Sequence, residues 1–159
     1  MPRPGRLSSA RIASRMSAER AAHPAPGDEA MAKHVCNGAT LQCTMGMAPS
    51  TFVVTPENKM LTSNQPAATI MDHVPMKNIM PFGMCQSPAN PQVAAATASA
   101  MGVLTPMPCI PNTPAPWIVG APTVLLANIP SLNDSSTLMC IWTGTISVKV
   151  PGQQTHQIP

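Results

Sequence analysis

The sequence predicts a mainly β fold of short strands and turns with one short Ala-rich helix, and three observations lead there. Twenty prolines and nine glycines are spread singly among Val, Ile, Leu, Thr and Met, so segments must be short and must turn often. The Asn37-Gly38 pair lies within HVCNGATLQCTMG, an alternating run around the strongest short-range hairpin signal a sequence offers. A single stretch, Gln92 to Met101, carries a convincing helical pattern.

Both ends of that helix have physical reasons. Asn90 is placed as N-cap, Pro91 stands where the first helical N–H has no partner anyway, and Gly102 supplies a left-handed stop. Cys85 arrives just before it on FGMC, and Cys109 just after it on TPMPC, in Pro-punctuated segments that cannot extend the helix. A surface of Ala and Thr lets neighbouring backbone approach closely.

From Met31 the pattern is strand and turn. Lys33–Cys36 is expected to fold back beside Ala39–Cys43 across Asn37-Gly38. Further strands are expected near Thr51–Thr55, Met60–Thr62 and Ala68–Met71, separated by turns at Pro56-Glu57-Asn58 and Asn64-Gln65-Pro66. Beyond the helix, TPMPCIPNTPAPW must run extended. Strands Thr123–Ala127 and Leu138–Val150 follow, with a turn over Pro130–Ser136, and the polar tail at 153–159 is expected to fray.

The chain also echoes itself. Thr40-Leu41-Gln42-Cys43 recurs as Thr137-Leu138-Met139-Cys140, each with a glycine a few residues on. Met60-Leu61-Thr62-Ser63-Asn64-Gln65-Pro66 is echoed by Leu125-Leu126-Ala127-Asn128-Ile129-Pro130, and an Asp follows each time, Asp72 and Asp134. Two copies are too few for a solenoid and fit a small β fold with pseudo-symmetric halves.

Charge is scarce, at 9 % of residues against about 25 % in ordinary domains. All five arginines fall in the first twenty residues, so four lysines face Glu57, Asp72 and Asp134 from Met31 onward. Between Asn78 and Asn133 there is no charged residue and no histidine. Such a surface implies cover by a partner, and without a basic patch that partner is not nucleic acid. Thirteen methionines suit an irregular core or an adaptable contact surface. No apolar run reaches the roughly 18 residues of a membrane span, so stable membrane insertion is not expected. Nor is the basic start followed by the apolar stretch of a secretory signal.

Residues 1–30 differ in kind from the rest, with Arg, Ser, Ala and a breaker at HPAPGDE. They are expected to be a disordered or mis-annotated leader, with a flexible arm and a transit-like segment as the other readings. Residues 31–152 form the expected domain.

GATLQC, LTSNQPAATIMDHVPMKNIMPFGMCQSPANP, PMPCIPNTPAPW and LMCIWTGTISV, in that order, resemble the PAAR-like family of contractile injection systems. The resemblance covers nearly all of Lys33 to Gly152. It implies a small conical fold of short strands that caps the VgrG-type trimeric spike of a type VI secretion system, sharpens it and helps deliver effectors. It further implies assembly in the bacterial cytoplasm and export on the spike. The alternatives are an adaptor docking a separate effector toxin to the spike, or a small metal-dependent enzyme. Ordinary members bind zinc near the apex through three histidines and a cysteine, and the histidines here do not fit that pattern.

Assembly in a reducing cytosol disfavours disulfides, and thiolate zinc is the usual alternative in a small irregular fold. The expected ligands are Cys43, Cys85, Cys109 and Cys140: the first and last hold the echoed position and the middle pair flank the helix. Such a closed site would be structural. The spacings lack C-x-x-C pairs, so buried free thiols and disulfides remain open readings. Cys36 is expected to be an unliganded thiol. His73 reads as a turn residue, or else as a ligand or acid–base partner; His34 shares a strand face with Cys36 and could chelate with it. No phosphate loop, nucleophile elbow or paired carboxylates occur, and a Cys85–His73 pair lacks an orienting third group, so an enzyme is not expected.

Overall fold

The computed structural model describes residues 31–118 and 120–159, and residues 31–159 gather into one compact unit. The leader, with its arginines and His23, lies outside the described residues. The architecture is mainly β, with several small sheets and one short helix, as the composition led us to expect.

The largest sheet has four antiparallel strands. In spatial order they are β10 (Thr137–Cys140), β11 (Gly144–Val150), β2 (Thr40–Cys43) and β3 (Ser50–Thr51). Period-two alternation puts Leu138 and Cys140, Gly144, Ile146 and Val148, and Leu41 and Cys43 on one buried face. The register pairs Leu138 with Ile146, Ile146 with Cys43 and Cys140 with Gly144. The two echoed TLxC strands thus flank the same central strand.

Two expectations are corrected here. The stretch 138–150 is a hairpin and not one strand, because Ile141-Trp142-Thr143 turns between Cys140 and Gly144, with Thr143 at φ 61. Asn37-Gly38 does turn, with Gly38 at φ 82 and the Ala39 N–H donating to the Cys36 carbonyl. Its arms do not pair, however. The earlier arm is taken by other segments, while β2 pairs with β11 and β3.

Three chain segments close a ring of backbone hydrogen bonds. Val35 N–H donates to the Leu132 carbonyl, Leu132 N–H to Ala68, and Ala68 N–H back to Val35, each at 3.0 Å. Bridges His34–Asn133, Thr69–Ser131 and Cys36–Ala67 join the same segments pairwise, and Val35, Ala68 and Leu132 are fully buried.

A two-stranded unit leads into each corner of this ring. β4 (Leu61–Thr62) and β5 (Gln65–Pro66) form a hairpin through Ser63-Asn64, and β8 (Ala121–Leu126) and β9 (Ile129–Ser131) form another through Ala127-Asn128. Both turns hold two successive residues at positive φ, 51 and 62 in one and 50 and 66 in the other, which matches the twist of a tight hairpin. The third unit is made of the chain's ends, β1 (Ala32–Lys33) paired with β12 (Gln157–Ile158). Thr62, Leu126 and Ile158 occupy equivalent places and all three are buried. The expected frayed tail is therefore docked, because Ile158 supplies the third unit's buried side chain. Gln153 adds to this, donating to the carbonyls of His34 and His156 and accepting from the His156 N–H, all at 2.7 Å.

The helix α1 (Pro91–Ser99) forms where its caps predict, the Asn90 side chain accepting from Gln92 N–H at 3.0 Å and Gly102 standing at φ 88. It buries only Val93, so it is held at its ends more than by a broad apolar face. On either side of it, β6 (Met84–Cys85) pairs with β7 (Met107–Pro108). The core is completed by Phe52, Ile79, Phe82 and Trp117, with Phe52 and Trp117 edge to face at 5.8 Å.

Candidate functional site

Four of the five cysteines converge. Cys43 ends β2 and Cys140 ends β10, on one face and separated by the width of β11. The residue between them is Gly144, where a Cβ would stand 2.7 Å from Cys43 Sγ and 3.7 Å from Cys140 Cβ. A missing side chain thus leaves the space into which the Cys43 thiol leans.

Cys85 enters through the bridge between its own segment and Gly46, whose Cβ position lies 3.3 Å from Cys43 Cβ. Cys85 is opposite Met107, and Cys109 N–H donates to the Gly83 carbonyl at 2.8 Å, so Cys109 stands diagonally across from Cys85. In a two-stranded pair that diagonal lies on one face, within about 7–8 Å. All four are buried core residues, yet none is wholly sealed, with exposures of 3–7 %.

Their electrostatics agree. Burial pushes the Cys43 thiol up, backbone hydrogen bonds at Met45 and Gly46 oppose this, and Cys140 and Cys85 raise it further. Burial likewise pushes Cys109 up, opposed by a backbone hydrogen bond at Phe82, and Cys85, Cys43 and Cys140 all act on it. Cys43 is therefore within electrostatic reach of Cys85 and Cys140, and Cys109 of all three. All five cysteines are free thiols, so no disulfide joins them. As the side chains lie, no three His, Cys, Asp or Glu among the described residues stand in an arrangement that holds a metal ion.

Cys36 is apart. It is fully buried, raised by burial alone, and its thiol donates to the Pro151 carbonyl at 3.6 Å. The histidines do not gather round the thiols. His73 Nδ1 donates to the Thr113 carbonyl at 3.0 Å while Thr113 Oγ1 donates to the His73 carbonyl at 2.6 Å, a clasp between two loops. His34 is bonded through Nδ1 to Thr62 Oγ1 at 3.2 Å, so His34 and Cys36, which could have chelated together, have separate partners. Asp72 is likewise occupied, with Thr69 N–H and Oγ1 on Oδ2 and Asn78 on Oδ1.

Sequence reasoning missed the contact between His34 and His156, whose rings lie 5.3 Å apart. Nε2 of His34 and Nδ1 of His156 are buried without a hydrogen-bond partner. Nothing local signals this pair, since the two residues sit at opposite ends of the domain. Burial holds the His34 ring below its ordinary value, the Ala68 backbone partly offsets this, and His156 lowers it further.

Large apolar side chains are exposed at many places along the described chain, and two groups of them stand out. Leu61 and Leu125 stand at equivalent positions of two hairpin units, and Met101, Val103 and Leu104 follow the end of α1. No helix among the described residues is long and apolar enough to cross a membrane.

A small β protein with a three-segment ring and a buried thiol cluster between its main sheet and the β6–β7 pair is the class defined so far. The chain belongs to the family described as Domain of unknown function (DUF4280), whose family model matches residues 35–153. No curated protein and no solved structure matches it.

Proposed function

We propose that this chain is a PAAR-like spike tip that caps a VgrG-type trimer in a type VI secretion or related contractile injection system. The observation that carries the reading is the ring of Val35, Ala68 and Leu132, with its three two-stranded units. A single chain that repeats its backbone three times about a common centre can present near-equivalent contacts to a threefold partner, which an irregular monomer cannot do. Leu61 and Leu125, exposed at equivalent positions, supply apolar area for that contact, and the near-neutral body removes the penalty of burying charge.

In this reading the mechanism is interfacial and mechanical. The chain assembles in the bacterial cytoplasm, seats on the blunt spike end and leaves the cell on it. Co-expression with a trimeric β-helical spike protein tests it: one chain per trimer is expected by light scattering after gel filtration. Leu61→Asp with Leu125→Asp should abolish the complex while leaving the circular dichroism of the free chain unchanged. A doubly substituted chain that still binds, or a wild-type chain that never does, defeats the proposal.

The exposed run Met101, Val103 and Leu104 favours a second reading, an adaptor that docks a separate effector toxin. Co-purification with a toxin in the absence of any spike protein distinguishes it.

A further inference from the structure

We propose that Cys43, Cys85, Cys109 and Cys140 close around one zinc ion as a four-thiolate structural site beside Gly144. This does not rest on the spike-tip reading, and either can fail without the other. The three-histidine, one-cysteine pattern of ordinary PAAR proteins is not what these residues build, since His34 and His73 are committed elsewhere.

The first argument is convergence from four separate segments. Cys43 and Cys140 come from two strands of the main sheet, Cys85 from β6, and Cys109 from just beyond β7. Buried free thiols acting as small hydrophobes have no reason to be neighbours, and Cys36 shows what that case looks like: sealed, distant from the cluster and spending its S–H on a carbonyl.

The second argument is the space kept between them. Gly144 is the residue whose side chain would otherwise fill the ground between Cys43 and Cys140. Rotation about the Cα–Cβ bond of a cysteine moves its sulfur without moving the backbone, and the proposal requires such rotations to bring the four sulfurs to the zinc–sulfur bonding distance of about 2.3 Å.

The third argument is the polar surroundings of the sulfur. The backbone groups of Met45 and Gly46, two and three residues after Cys43, lie within hydrogen-bonding reach of its sulfur. Such outer hydrogen bonds orient and stabilise metal-bound thiolates. Binding a divalent ion releases four protons to solvent as four S–H groups become four metal–sulfur bonds. A closed set of four sulfurs selects zinc or iron among the common metals, and with no open position the ion holds the fold together rather than catalysing. The bound ion would tie β2 and β10 to the segments that flank α1.

The full-length protein, purified under reducing conditions and desalted into metal-free buffer, should carry one zinc per chain by mass spectrometric metal analysis. Modification of four thiols with an organomercurial should release that zinc. Cobalt(II) added to the metal-stripped protein should give the visible absorption of a tetrahedral thiolate site. Cys109→Ser should weaken this absorption, and Cys36→Ser should leave metal content unchanged. If Cys109→Ser fails to fold, the cobalt titration of the wild-type chain decides alone. A folded, reduced wild-type chain that takes up neither zinc nor cobalt overturns the proposal, and so does stoichiometric iron in place of zinc.

Discussion

Replacing Gly46 and Gly144 separately with alanine should give two very different losses of stability, although both are glycines beside Cys43. Neither has a positive φ, so neither substitution is strained by its backbone, and each gains about 0.4–1 kcal/mol from the stiffer unfolded chain. At Gly144 the new methyl meets Cys43 Sγ at 2.7 Å, the free end of a side chain that can rotate away, and otherwise only Cβ atoms at ordinary contact, 3.7 Å. At Gly46 it overlaps Phe82 Cβ and lies 3.2 Å from the Phe82 carbonyl oxygen. Those atoms move only with the backbone, and that carbonyl accepts from Ala48 N–H at 3.1 Å. Overpacking costs about 1–3 kcal/mol and more where nothing yields, so the net loss is about 0–2 kcal/mol for Gly144→Ala and about 3 kcal/mol or more for Gly46→Ala. Urea unfolding under reducing conditions measures both. With slopes of about 1–3 kcal/mol/M, the Gly46→Ala midpoint should fall by at least about 1 M at unchanged slope. A Gly46→Ala chain as stable as Gly144→Ala would refute the reasoning.

Leu132→Ala empties a fully buried position on the ring and should cost about 3–5 kcal/mol in the same urea assay, whereas Leu125→Ala, at an exposed site, should stay within about 0.5 kcal/mol. Asn90→Ala removes the acceptor for Gln92 N–H and should cost about 1 kcal/mol, with the loss of helicity seen by circular dichroism. The ring of His34 is held below the ordinary 6.5, so between its folded value and 6.5 the unfolded chain binds more protons; stability is complete above 6.5 and falls as pH drops through that window. Melting temperature should therefore drop on acidification from neutral pH, less so in His34→Gln, and an unchanged slope in that variant would count against it. Asp72, pushed up by burial, acts with the opposite sign at lower pH, since its folded carboxyl keeps a proton that the unfolded one has released.

What was legible in the sequence was local. Asn90 and Pro91 start the helix as expected because caps act within a turn of the chain, but it stops at Ser99, two residues short of the expected Met101, and Met101 is itself left-handed at φ 55 ahead of Gly102. The echo at Met60–Pro66 and Leu125–Pro130 marks two units that use the same two-residue turn, but it suggests two pseudo-symmetric halves where the ring has three units. The break in 138–150 was hidden because Ile141 and Trp142 are apolar and β-favouring, so the turn looks like strand until Thr143 is seen at positive φ. At Asn37-Gly38 the turn was right and the hairpin wrong. A turn signal reports the direction of the chain, while pairing is decided by which segments are already adjacent, and here the ring claims the earlier arm.

The third ring unit shows why such misses are systematic. Its two strands stand at opposite ends of the described chain, so no periodicity or turn residue can announce it, and a polar stretch such as GQQTHQIP looks free to fray. What recruits it is the exposed edge that two hairpins leave in a ring of three: the N–H and carbonyl of His34 would face burial without partners. His156 supplies the carbonyl for His34 N–H, Gln153 binds both, and Ile158 fills the place held by Thr62 and Leu126. Closing the ring therefore requires both ends of the domain, and the tail is ordered by a vacancy created more than a hundred residues earlier rather than by any preference of its own.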